Sequence, residues 1–194
     1  FVHLPYGMAC ERQIDPALGF TRPKWEKLDV MKHAALVRDI FRVLGWDRNR
    51  APDPRPWEEQ LKEMVAPHRP GGRYPLAMEL TRVDLNRDGK PDYLIRIGDE
   101  RPCDPKEAFR HGPPEKQFVV VDETLIKIDE AYSRGIGLTS NDVFLYKGKV
   151  YSDTFHHYAG LAPGDRDGQI SLFSFFERGA GRPCKLHYHQ TDSA

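Results

Sequence analysis

From Tyr74 onward the chain is cut into short apolar runs separated by turn residues, and this pattern constrains the fold more than any other feature. Leu76 to Val83, Asp92 to Gly98, Gln117 to Val121 and Thr124 to Asp129 read as strands. So do Asp142 to Tyr146, Lys149 to Phe155, Gly168 to Phe176 and Lys185 to His189. Within Gly168 to Phe176, the alternation sets Ile170, Leu172, Ser174 and Phe176 on one face. Asp122-Glu123 and Lys147-Gly148 leave room only for tight turns, and short turns join antiparallel partners. No internal repeat of solenoid or propeller period runs through the chain.

Before Tyr74 the period changes. Trp25, Leu28 and Met31 start an apolar stripe that Val37, Ile40, Phe41 and Leu44 continue. This spacing predicts a helix over Lys24 to Leu44, closed by Gly45 in the left-handed conformation. Pro52, Pro54 and Pro56 fix an extended connector. Trp57 to Val65 follows as a short helix with Leu61 and Met64 inward, ended by Pro67, Pro70, Gly71 and Gly72. Phe1 to Phe20 has no sustained period and reads as an ordered arm or loop. Helices first and strands after give an α+β fold, with N-terminal helices packed on a mostly antiparallel β-sheet. At 194 residues the chain is expected to be a single domain. Residues 1–72 form its helical, proline-rich part and residues 73–194 its β-rich part.

Lys and Arg number 29, as do Asp and Glu, so the formal net charge is zero. A general polyanion binder draws its affinity from an excess of cations, so nucleic acid is not an expected partner. Arg42, Arg48, Arg50 and Arg55 do interleave with Trp46 and Trp57, a pattern found in single-strand binders. Asp47, Asp53, Glu58 and Glu59 interrupt it, and the favoured reading is of tryptophans anchoring the connector to the core. No apolar run approaches the ~20 residues that cross a bilayer. The three cysteines, Cys10, Cys103 and Cys184, are too few for a disulfide-built scaffold. One disulfide among them, with a thiol left over, is favoured over three reduced thiols. Cys103 lies in the long proline-rich loop Asp99 to Glu115, which such a bond would tether. The chain begins at Phe1, which fits removal of a secretory signal and a periplasmic or secreted location.

The sharpest chemical signal is Asp84-Leu85-Asn86-Arg87-Asp88-Gly89-Lys90-Pro91-Asp92. Oxygen-bearing side chains stand at Asp84, Asn86, Asp88 and Asp92, every second residue and then after a gap. Gly89 stands where the loop must turn sharply, and Lys90 adds a backbone carbonyl. Ca²⁺ is a hard cation that takes six to eight oxygens at roughly 2.3–2.6 Å, and this loop supplies most of that shell. Three carboxylates so close repel one another, and a divalent cation removes the repulsion. The metal-free alternative is a hairpin whose Asp88-Gly89 turn is held by Asx hydrogen bonds. The nonamer resembles the calcium loops of FG-GAP/VCBS-type repeats and of dockerins, and the first nine positions of an EF-hand. It departs from the EF-hand where Ile95 replaces the bidentate Glu, and its flanks read as strands. The resemblance implies a structural calcium ion in a strand–loop–strand setting. Asp165-Arg166-Asp167-Gly168 is a fragment of the same grammar without the later oxygens, and reads as a plain turn before a strand.

His156 and His157 are adjacent, and His187 and His189 lie two apart on an expected strand, so the latter pair shares a face. With a third ligand that pair chelates Zn²⁺ or Cu²⁺; alone it is a polar strand face. The chain has no Gly-x-Ser-x-Gly elbow, His-Glu-x-x-His, P-loop or Gly-x-Gly-x-x-Gly fingerprint. The expectation is therefore an extracytoplasmic, calcium-stabilised protein-binding module, such as an inhibitor or an immunity-type protein that blocks a partner enzyme. The alternative is a small secreted hydrolase with a calcium site near its cleft.

Overall fold

The computed structural model describes residues 17, 19–47, 52–68, 73–85, 87–100, 116–130, 133, 142–159, 166–174 and 184–190, with backbone alone at 142 and beyond 151. Within these residues the fold is α+β, with two helices and two antiparallel sheets. The strands are β1 (Phe20–Thr21), β2 (Glu26–Leu28), β3 (Leu76–Val83), β4 (Asp92–Asp99), β5 (Lys116–Val121), β6 (Asp142–Tyr146), β7 (Lys149–Ala159), β8 (Arg166–Ser174) and β9 (Cys184–Gln190). The helices are α1 (Ala34–Leu44) and α2 (Trp57–Met64). One sheet has the order β2-β3-β4-β5, the other β1-β6-β7-β8-β9. The N-terminal part is thus not purely helical, because it lends one short strand to each sheet.

The four-stranded sheet is the middle layer. Its alternation sends Met78, Leu80, Ile95, Ile97, Val119 and Val121 to one face. There they pack on Leu36, Val37, Ile40 and Phe41 of α1 and on Leu61 of α2. The other face sends Val83, Leu94, Phe118 and Val120 against Val143 of β6 and Val150 of β7. β4 is apolar on both faces for this reason, since Leu94 and Ile95 are both fully buried but in different cores.

Two expectations need correction. The helix begins at Ala34, not Lys24. Asp29 Oδ1 accepts from the amides of Met31 and Lys32 at 3.0 and 3.2 Å, which makes a turn before the helix. Glu26 to Leu28 instead pairs with Leu80 to Met78 as an edge strand. Trp25 then packs in the core between the sheets, while Leu28 and Met31 pack on the helical side. The other end of α1 is as expected, with Gly45 at φ 71° and the Trp46 amide donating to the Phe41 carbonyl at 2.9 Å.

The second correction concerns Thr124 to Asp129, which is a turn with one isolated bridge, Val121 to Ile128. Asp122 Oδ1 accepts from Ile126 and Lys127 at 3.0 and 3.1 Å, and Leu125 takes φ 57°. A side chain that offers the backbone this many bonds competes with a strand ladder. The segment then covers the outer edge of β5. The Asp129 amide donates to the Val120 carbonyl, and the Val120 amide donates to Ser133 Oγ, each at 2.9 Å.

Candidate functional site

The Asp84–Asp92 loop closes the β3–β4 hairpin, whose ladder runs without interruption from Leu76 opposite Asp99 to Val83 opposite Asp92. Every described carboxylate of the loop accepts from one or more of the loop's own amides. Asp84 Oδ1 accepts from Asp88 at 3.2 Å and its Oδ2 from Gly89 at 3.0 Å. Asp88 Oδ1 accepts from Lys90 at 2.8 Å. Asp92 Oδ2 accepts from Leu85 at 2.7 Å. Gly89 has φ 83°, the left-handed conformation that the sharp turn requires, and Arg87 has φ 62°. Leu85, 1% exposed, plugs into the core between the sheets and pins the loop at its base.

Asp88 and Lys90 are exposed, while Asp84 and Asp92 are half-buried. Asn86 lies outside the described residues. Among the described residues no three His, Cys, Asp or Glu side chains gather as a metal-holding group, so Asp84, Asp88 and Asp92 are not drawn to a common point. An ionised carboxylate has about four lone-pair sites, and each amide bond occupies one. The amide bonds hold the backbone of the loop in its looped form.

The other sequence candidates fall elsewhere. His156 and His157 lie in β7, and His187 and His189 in β9, of the five-stranded sheet. Asp165 lies outside the described residues, and Arg166, Asp167 and Gly168 belong to β8 rather than to a turn before it. Cys184 opens β9; Cys10, Cys103 and residues 101–115 lie outside the described residues. Trp46 and Trp57 both pack edge-on against Phe41, with centroids at 4.8 and 5.4 Å, and Trp57 Nε1 donates to the Ala34 carbonyl at 2.7 Å. These rings hold the proline connector to α1. No helix of the described residues is long and apolar enough to cross a membrane.

One cluster is not visible in the sequence. Glu79 of β3, Arg96 of β4 and Lys116 of β5 share the sheet face that carries Leu94 and Phe118. Arg96 Nε and Lys116 Nζ both donate to Glu79 Oε2, and the Arg96 guanidinium lies 4.3 Å from the Trp25 ring centroid. Burial alone would raise the Glu79 carboxyl, but hydrogen bonding and charge from Arg96, then Lys116, outweigh it and hold it below its ordinary value. Glu79 and Arg96 stand seventeen positions apart, and only the strand register brings them together. A concavity of about 150 Å³ nearby is lined by Lys24, Glu26, Leu80, Thr81 and Arg82. It falls below the roughly 300 Å³ at which ligand pockets begin, and its lining has one carboxylate and no His.

Compared with known protein families, curated proteins and solved structures, the chain matches none.

Proposed function

We propose that this chain is an extracytoplasmic protein-binding module stabilised by calcium, of the kind that an inhibitor or immunity-type protein provides. The observation that carries this reading is the Asp84–Asp92 loop. It combines an oxygen pattern suited to Ca²⁺ with a backbone already wrapped around its own carboxylates. The side-chain oxygens of Asp84, Asn86, Asp88 and Asp92, with the Lys90 carbonyl, would hold the ion. Its role is structural: it offsets the mutual repulsion of three acids and fixes the tip of the central hairpin. Extracellular modules work with weak calcium sites because calcium is plentiful there, which is why the proposed location and the proposed ion belong together.

A binding role is further supported by Ile126, which is 72% exposed on the turn that covers β5 and offers an apolar anchor to a partner. The test is a pull-down from native extract with and without Ca²⁺. A single stoichiometric partner, lost in chelator, is expected. No partner, together with turnover of an ester, glycan or peptide panel, would overturn the reading in favour of a small secreted hydrolase.

A further inference from the structure

The turn that follows β5 holds one apolar side chain in solvent by construction. Leu125, Ile126 and Ile128 are all aliphatic, yet only two of them turn inward. Ile128 is buried in the core on the helical side of the four-stranded sheet, and Leu125 packs against that core. Ile126 is exposed, and among the residues described with side chains no other large hydrophobic is. A lone exposed aliphatic residue is ordinary on a protein surface. Ile126 differs because the backbone around it is fixed. The Asp122 amide donates to the Lys127 carbonyl at 2.9 Å, and the Leu125 amide donates to the Asp122 carbonyl at 3.1 Å. Asp122 Oδ1 accepts from the Ile126 and Lys127 amides, and its Oδ2 accepts from Thr124 Oγ1 at 2.9 Å. Leu125 takes φ 57°, a left-handed conformation disfavoured for leucine, and the bonds around it hold it there.

The surroundings of Ile126 are acidic. Residues 122–130 carry Asp122, Glu123, Asp129 and Glu130 against one cation, Lys127. Glu123, Lys127 and Glu130 are exposed, and Glu130 Oε1 lies 3.8 Å from Arg42 Nη2. Tyr93 pairs with Val121, so the turn leaves β5 at the end of the sheet where β4 emerges from the Asp84–Asp92 loop. That loop adds three acids against Arg87 and Lys90. The two segments together hold seven acids and three cations, on a chain whose formal net charge is zero.

We propose, resting on the protein-binding reading above, that the Asp122–Glu130 turn is the surface that contacts the partner, with Ile126 as its central anchor. The partner is a protein whose surface offers an apolar pocket rimmed by Lys and Arg. A turn already held in one conformation loses little entropy on docking, so the burial of Ile126 is realised as affinity. The acids around it select the partner, since they speed encounter with a basic surface and repel an acidic one. A second copy of this chain does not fit this face symmetrically, because a two-fold contact would set the same acids against each other.

The test uses the full chain in Ca²⁺. The protein that it retains from native extract is purified and titrated calorimetrically against wild type and variants, each shown to be folded by circular dichroism. Ile126→Ala should weaken binding about 10–100-fold, as loss of one buried aliphatic side chain implies, and Ile126→Asp should abolish it. Glu123→Lys should weaken binding at low salt and less so at high salt, because rim charges act through a screened field. Glu100→Lys, exposed beyond the opposite end of β4, should leave it unchanged. A photo-crosslinker at position 126 should link to a peptide of the retained protein that bears Lys or Arg. Wild-type affinity in Ile126→Asp would overturn this inference while the protein-binding reading stands. So would weakening by Glu100→Lys equal to that by Glu123→Lys, or a crosslink to a second copy of the chain or to an acidic surface. Retention of no protein at all would overturn both.

Discussion

Removing the Asp92 carboxylate separates what the hairpin loop owes to its own hydrogen bonds from what it would owe to the proposed calcium ion. Asp92 Oδ2 accepts from the Leu85 amide at 2.7 Å, and Leu85 is 1% exposed, so truncation strands a donor at the edge of a core. A hydrogen bond to a charged group contributes about 1.5–3 kcal/mol. For a domain of this size each kcal/mol moves Tm by about 2–4 °C, so Asp92→Ala in chelator should melt about 3–12 °C below wild type. Asp92→Asn keeps an acceptor, and a neutral acceptor makes a bond roughly half as strong, so it should lose about half as much. On the proposed calcium assignment, the ion adds its own increment. At a hundredfold excess over Kd, bound ligand contributes about 2.7 kcal/mol to the wild-type chain. Both variants should lose most of it, because each removes an anionic ligand of the proposed ion. The assay is thermal melting of the three chains with chelator and with excess Ca²⁺. Equal melting of Asp92→Ala and wild type in chelator would refute the hydrogen-bond argument. An undiminished calcium increment in Asp92→Asn would refute the assignment of the ion.

Three further outcomes are expected. Glu79 is held below its ordinary value of 4.5, so its contribution is present above that pH and is lost as pH falls through the lower folded value. Chemical denaturation from neutral pH to well below the ordinary value of 4.5 should therefore show a shallower acid loss in Glu79→Gln than in wild type. Ser133→Ala leaves the Val120 amide unpaired at a buried site, costs about 1–3 kcal/mol, and should show as a lower denaturant midpoint with an unchanged slope. Asp88→Ala, which removes an exposed ligand of the proposed ion and the acceptor of the Lys90 amide, should lower Tm in excess Ca²⁺ and abolish the proposed calcium stabilisation. Melting equal to wild type at saturating Ca²⁺ would contradict the calcium assignment.

What the sequence discloses depends on how local the signal is. β3 runs from Leu76 to Val83 as the alternation predicts, because turn residues bound it on both sides. Lys147 and Gly148 form the expected two-residue turn, with φ 47° and 71° as a type I′ hairpin requires. Local competition defeated the pattern elsewhere. The stripe Trp25, Leu28, Met31 has helical spacing, yet Asp29 takes the backbone amides that a helix would need. Asp122 does the same to the expected strand at Thr124. The loop oxygens from Asp84 to Asp92 were legible as a motif, since all lie within one turn of chain. The pairing of Glu79 with Arg96 was not, because it depends on strand register, which no single segment encodes.

The placement of β4 at the centre of the four-stranded sheet, with a core against each face, has a kinetic consequence. Its amide protons are shielded by a strand on either side and by apolar layers above and below. Slow local openings at β2, which is three residues long, or at the tip of the hairpin leave them covered. Deuterium should therefore reach Leu94 and Ile95 only when the whole molecule unfolds, so exchange there reports the global free energy. Calcium, by bridging the strand ends at Asp84 and Asp92, would then act as a clasp whose closing is felt first at the hairpin tip and last at these two residues.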